Sequence, residues 1–222
     1  MAAKLTYFNG RGRAEVVRYV LAGAGIEFTE EFLEKPEDIE ALRATGKLIF
    51  RQVPLLEIDG RAITQTEAMI RYIARNYGLY GSSEDEMIRC DMIYDGLKDA
   101  QVGLCGVKME FLPSDVEKEA NKKQMKEKIA KYFPMLQGFL ADNNGKFLVG
   151  DRLSFVDLVF LHDLEWVQDC LGEEILKEYA TIQAYRFQLQ SLPNVAKYLA
   201  SPQKKNYPDA TYLASVRKVL YP

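Results

Sequence analysis

Apolar positions along this chain change their period once. Over the first eighty residues, short β-rich or alternating runs exchange with segments whose apolar residues recur every three or four positions. Residues 4–8 form a short strand-like run, which Asn9-Gly10-Arg11-Gly12 breaks with residue types that tolerate turns and positive φ. Val16, Val17, Val20, Leu21 and Ala24 follow at helical spacing, and Gly25 stands where a glycine ends a helix. The largely alternating 26–32 predicts a second strand, and the polar stretch 37–44 a second helix. Residues 55–58 and 61–64 flank Asp59-Gly60, a dipeptide suited to a type I′ hairpin. A third helix is predicted over 66–77, with Ala68, Ile70, Ile73, Ala74 and Tyr77 facing inward.

After residue 80 no alternating run of strand length recurs, and the long segments have a period near 3.6. Tyr80-Gly81-Ser82-Ser83 reads as a linker, with helices over 84–111 and 115–142. Another helix starts at Ser154, where Ser154-Phe155-Val156-Asp157 has the form of a capping box with Asp in place of Glu. Pro193, Pro202 and Pro208 punctuate shorter helices beyond it, and no repeat of 20 to 50 residues is found. The expected class is therefore α/β plus all-α: a βαβαββα domain over 1–80, then a helical bundle domain over 84–222.

Composition adds exclusions. With 222 residues, 48% hydrophobic and 27% charged, the chain is globular and neither collagen-like nor disordered. A net charge of -3 argues against a nucleic-acid partner, and the basic stretch from Lys122 to Lys131 reads as a solvated helix face. Arg18 and Arg71 interrupt the most apolar runs, so no membrane span is expected, and the first residues carry no apolar leader; the expected compartment is the cytoplasm. Cys90, Cys105 and Cys170 are odd in number and widely spaced, which implies neither disulfide framework nor metal site. The single histidine, His162, sits in an apolar helix and reads as a packing residue rather than a base.

A βαβ unit followed by a hairpin and a helix, with Val53-Pro54 just before the hairpin, is the layout of the thioredoxin fold. Thiol chemistry on that layout commonly uses a cysteine at the start of the first helix, where free N–H groups and the helix dipole favour a thiolate. Here no cysteine precedes Cys90, which excludes a dithiol mechanism. Any reacting sulfur must arrive on a ligand. Tyr7-Phe8-Asn9-Gly10-Arg11-Gly12-Arg13, Gln52-Val53-Pro54, Gln65-Thr66 and Leu148-Val149-Gly150 together resemble a cytosolic glutathione S-transferase over nearly the whole chain. Gly10, Thr66 and a helix-forming tail over 208–221 favour the alpha class over the sigma class.

The resemblance implies that Tyr7 donates its hydroxyl hydrogen to the sulfur of bound glutathione and that Arg13 adds positive potential. Taken alone, Tyr7 reads as a strand-end core tyrosine, one of 13 tyrosines that mostly pack, and it is the Gly10/Gly12 loop, the arginine beside it and the downstream motifs that reverse that reading. The resemblance further implies a cis bond at Val53-Pro54, which would free the Val53 backbone to pair with the cysteinyl unit. It assigns Gln65 and Thr66, at a helix N-terminus, to the γ-glutamyl carboxylate, and Arg43 and Gln52 to the glycyl carboxylate and peptide backbone. Capping is the alternative role of Gln65 and Thr66, and a surface charge that of Arg43. Asp99 and Lys131 match positions that reach the ligand of a partner subunit, Lys131 replacing a common arginine. Phe50 matches an aromatic key inserted into the partner, so a homodimer is expected.

For the second substrate, a hydrophobic electrophile, the matching positions are Phe8, Gly12, Leu104, Val107, Met109, Leu213, Val216 and Leu220. Residues 209–221 match a mobile lid helix, although Leu220-Tyr221-Pro222 departs from the usual aromatic finish. The implied reaction is conjugation of glutathione, as co-substrate, to the electrophile, with no metal or redox cofactor. A peroxidase side activity towards organic hydroperoxides is compatible with the same thiolate. The alternatives are a glutathione-dependent isomerase and a non-catalytic crystallin or hydrophobic-ligand carrier.

Overall fold

The computed structural model describes residues 3–109, 111–208 and 210–220. The ends of the tail, Asp209 and Tyr221-Pro222, lie outside the described residues. The first half contains β1 (Ala3–Tyr7), α1 (Glu15–Gly23), β2 (Phe28–Phe32), α2 (Pro36–Ala44), β3 (Leu55–Ile58), β4 (Arg61–Thr64) and α3 (Thr66–Asn76). Its sheet has the order β2-β1-β3-β4, with β1 parallel to β2 and antiparallel to β3. In the register Leu5 faces Leu56 and Tyr7 faces Phe32, so the C-terminal end of β1 carries Tyr7 to the sheet rim. The thioredoxin-like layout is thus realised, followed by an all-helical half.

Local chemistry explains the boundaries. The N–H groups of Gly25 and Ile26 bond to the carbonyls of Ala22 and Leu21 at 2.8 and 3.0 Å, a Schellman closure of α1 made possible by Gly25 at φ 71°. Ile26 is spent on that closure, which is why β2 begins at Phe28 rather than at residue 26. Asp59 and Gly60 have φ of 51° and 72°, as the hairpin turn requires.

The helical half comprises α4 (Glu84–Ala100), α5 (Val102–Met109), α6 (Asp115–Asp142), α7 (Phe155–Leu171), α8 (Glu174–Lys177), α9 (Ala180–Ser191), α10 (Pro193–Leu199) and α11 (Ala210–Leu220). The central α7 buries Phe155, Leu158, Phe160, Leu161, Leu164, Trp166 and Val167 against helices on both sides. Its capping box forms as expected: the Asp157 carboxylate accepts from the Ser154 N–H at 2.8 Å and hydroxyl at 2.6 Å, and also from Leu148 N–H and the Tyr185 hydroxyl. The 84–111 helix is corrected to two helices. Gln101 adopts φ 53° and ends α4, and α5 then packs on α7 through two glycines. A Cβ at Gly103 would lie 2.1 Å from Asp163 Oδ1, and one at Gly106 2.6 Å from the Trp166 ring. No described helix is long and apolar enough to cross a membrane.

Gly106→Ala therefore forces the α5–α7 contact apart and should lower stability by about 1–3 kcal/mol. Gly138→Ala, in α6 with nothing within 4 Å of the new methyl, should raise it by about 0.5–1 kcal/mol. Urea unfolding of the two variants beside the parent measures both signs.

Candidate functional site

Tyr7, the last residue of β1, is buried with its ring edge-on to Phe8 at 5.1 Å between centroids. The chain then turns through residues 9–14 into α1, and the Arg13 backbone N–H donates to the Tyr7 hydroxyl at 3.1 Å. A phenol that accepts this bond still has its own hydrogen to donate. Burial pushes the Tyr7 pKa above its ordinary value, while the Arg13 amide and the charges of Arg13 and Arg18 pull the other way. The phenol therefore keeps its proton at neutral pH. Gly12 is required here: its φ is 42° and an added Cβ would fall 2.4 Å from the Tyr7 oxygen.

Arg18, wholly buried in α1, braces this turn. It donates to the Gly10 carbonyl at 2.9 Å and to Glu15 and Glu30 at 2.7 Å each. Glu15 also accepts the Tyr198 hydroxyl at 2.7 Å, which connects the turn to α10. Desolvation opposes these charges, and Arg18 and Lys204 nevertheless hold the Glu15 carboxyl below its ordinary pKa.

A cleft of about 570 Å³ opens beside Tyr7. Of the residues assigned to glutathione, it collects Tyr7, Arg13, Arg43, Gln52, Val53, Pro54, Gln65 and Thr66. The Val53-Pro54 bond is cis. Gln65 is held at φ 69° and makes no side-chain cap to α3, so the N–H groups of the first turn remain open to an anion. The Thr66 hydroxyl instead donates to the Arg13 carbonyl at 3.3 Å, joining the starts of α1 and α3. Arg43 donates to the Arg51 carbonyl at 3.1 Å, and Arg51 itself lines the cleft together with Ile39 and Glu67. Three arginines against one glutamate give the walls a positive balance suited to an anionic, extended ligand. Arg51 and Glu67 were not among the sequence candidates; the one available signal was their position next to Gln52 and Thr66.

A second, inner cavity of about 250 Å³ lies between the two halves and shares Arg13, Thr66 and Glu67 with the cleft. The residues assigned to the second substrate divide. Gly12, Leu104 and Val107 line the inner cavity, whereas Phe8 and Leu220 line the cleft. Met109, Leu213 and Val216 line neither: Met109 is buried near Asn121, Val216 is buried on the inward face of α11, and Leu213 is half-buried. The helix α11 packs on α2, and Tyr212 of that helix covers Gly10 so closely that a Cβ there would lie 2.1 Å from its ring. Sequence reasoning missed Tyr212. His162 and Asp163, at the inner end of this cavity, were likewise outside the candidate set.

Asp99 and Lys131 are exposed and line neither space of this single chain. The Asp99 carbonyl lies 3.4 Å from Lys128 Nζ, and Lys131 Nζ lies 3.5 Å from the Tyr132 hydroxyl. Phe50 is 64% exposed on the loop between α2 and β3, beside Ile49 at 74%. Among the described residues, no group of three or more His, Cys, Asp or Glu could hold a metal ion.

The sequence matches the family described as "Glutathione S-transferase, N-terminal domain" over residues 3–75 and "Glutathione S-transferase, C-terminal domain" over residues 107–202. It is 40% identical to mouse "Glutathione S-transferase A4", covering 99% of both chains. It is 39% identical to rat "Glutathione S-transferase alpha-4", covering 98% of this chain and 97% of the other. Among solved structures, the glutathione S-transferase from Ascaris lumbricoides superposes with a TM-score of 0.78 at 32% identity, covering 94% of this chain and 98% of that one.

The contact between Gly12 and Tyr7 yields a specific expectation. Gly12→Ala should destabilise the protein by about 1–3 kcal/mol through strain at positive φ and collision with the phenol. Adding Tyr7→Phe should recover part of that loss, and a double-mutant cycle on thermal unfolding should give a coupling of at least ~0.5 kcal/mol.

Proposed function

This chain belongs to the glutathione S-transferase family, and from that premise we propose that its Tyr7 hydroxyl and Arg13 keep the sulfur of bound glutathione ionised for attack on an apolar electrophile. The observation that carries the reading is the hydroxyl itself. It is buried at the cleft wall, oriented by the Arg13 amide and left with its hydrogen to give. A free thiol with a pKa of about 8.5 is only a few per cent ionised at neutral pH. Lowering it by ~2 units requires ~2.7 kcal/mol, and one hydrogen bond to a charged group contributes about 1.5–3 kcal/mol. The phenol is nearly sufficient, and the Arg13 charge adds to it.

In this reading the γ-glutamyl carboxylate sits on the open N-terminus of α3, the cysteinyl backbone pairs beside Val53, and Arg43 and Arg51 face the glycyl end. Glutathione is a co-substrate, and no metal or redox cofactor takes part. Holding thiolate and electrophile in adjoining spaces removes much of the entropic barrier to their encounter. A peroxidase side activity would draw on the same thiolate. Three free cysteines fit a reducing, cytoplasmic setting. We also assign the exposed Ile49–Phe50 tip to a homodimer contact, an apolar protrusion being better accounted for as an anchor than as a solvated loop.

Tyr7→Phe should keep glutathione affinity within several-fold and reduce turnover of an aromatic halide at least tenfold. Unchanged turnover would remove the hydroxyl from the mechanism, and binding to immobilised glutathione without any turnover in the parent would point to a carrier. Phe50→Ser should shift the protein towards the monomer in analytical ultracentrifugation; a parent sedimenting as a monomer would refute the dimer.

A further inference from the structure

The inner cavity has one feature that conjugation of a purely apolar electrophile does not use. Ile70, Leu97, Leu104, Val107 and Val159 give it apolar walls, yet the Asp163 carboxyl stands among them. Asp163 is only 7% exposed, and its one hydrogen bond among the described residues is with His162 Nδ1 at 3.1 Å. The Trp166 indole N–H donates to His162 Nε2 at 3.1 Å, which leaves Nδ1 as the ring nitrogen facing Asp163.

The remaining charges on the cavity walls are already engaged. Glu67 and Lys98 pair with each other at 3.7 Å, and Arg13, which also lines the cleft, serves the sulfur in the reading above. Asp163 is thus a buried carboxyl with a single hydrogen bond facing an otherwise apolar wall, an arrangement that favours a cation arriving from the cavity. Gly103 makes room for the carboxyl itself, because any Cβ there would collide with Oδ1. Burial outweighs the opposing His162 contact and holds the carboxyl pKa above its ordinary value, so a cation beside it would restore what burial removes.

Gly12 and Arg13 line the same cavity, next to the Tyr7 hydroxyl. We infer that Asp163 determines specificity for the second substrate, and that the inner cavity takes electrophiles carrying an ammonium group remote from the reacting carbon. The inference rests on the reading above, in which the sulfur lies at Tyr7, and it narrows the substrate class from apolar electrophiles to apolar electrophiles with a cationic terminus. Asp163 would hold the substrate without taking part in bond making.

Two glutathione conjugates provide the test: S-benzylglutathione and its analogue with a 4-aminomethyl group. On the parent protein, calorimetry should give at least tenfold tighter binding for the ammonium-bearing conjugate. In Asp163→Asn, which keeps the shape and removes the charge, that preference should fall to within about twofold, and Gly103→Ala, which displaces the carboxylate, should reduce it likewise. Equal affinity for the two conjugates on the parent, or a preference that survives Asp163→Asn, overturns the inference while leaving the role of Tyr7 standing. Binding of neither conjugate nor of glutathione overturns the underlying reading instead. The comparison on the parent protein decides the matter even where a variant fails to fold.

Discussion

Everything at this site depends on one hydrogen bond, from the Arg13 amide to the Tyr7 hydroxyl. It fixes the phenol at the junction of a strand end and a helix start, and it leaves the phenolic hydrogen available to donate. The bond exists because the β1–α1 turn can pass close to the ring. Gly12 supplies that closeness, and the buried Arg18, bonded to the Gly10 carbonyl and to two glutamates, keeps the turn from relaxing. Removing one partner of such a buried charge set is expensive, about 3–5 kcal/mol, so the turn is anchored far more firmly than an ordinary surface loop.

The rest of the site follows from where this turn lies. Thr66 connects it to the open N-terminus of α3, and the cleft runs from there past the cis Val53-Pro54 bond to Arg43 and Arg51. The inner cavity begins at the same ridge and continues between the two halves of the molecule. A positively lined space suited to an extended anionic ligand and a smaller, mostly apolar space thus meet at Arg13, Thr66 and Glu67. That adjacency, more than any single lining residue, suits a reaction between a bound thiolate and a second molecule.

The parts legible in the sequence were those decided by local chemistry. Gly25 closing α1, the Asp59-Gly60 hairpin and the Ser154 capping box each involve neighbours within a few residues, so type and spacing were enough. The break at Gln101 was not legible, because it is set by how α5 nests on α7 through Gly103 and Gly106, a contact between distant segments. The same holds for the site. The family resemblance assigned Leu104 and Val107 to the second-substrate site, but which of two spaces they would border depends on the packing of the two halves. Tyr212 reaches Gly10 only when the C-terminal helix folds back, and Asp163 meets the cavity only through the glycine opposite it.

The central claim is that the phenol of Tyr7 stabilises a thiolate on glutathione. Ultraviolet difference absorbance of the glutathione complex against pH reports that thiolate directly, in the parent and in Tyr7→Phe. The account predicts that the bound thiol of the parent ionises roughly 2 units below the ordinary value of about 8.5, and that the variant returns close to that value. The same ionisation pH in both proteins would contradict it.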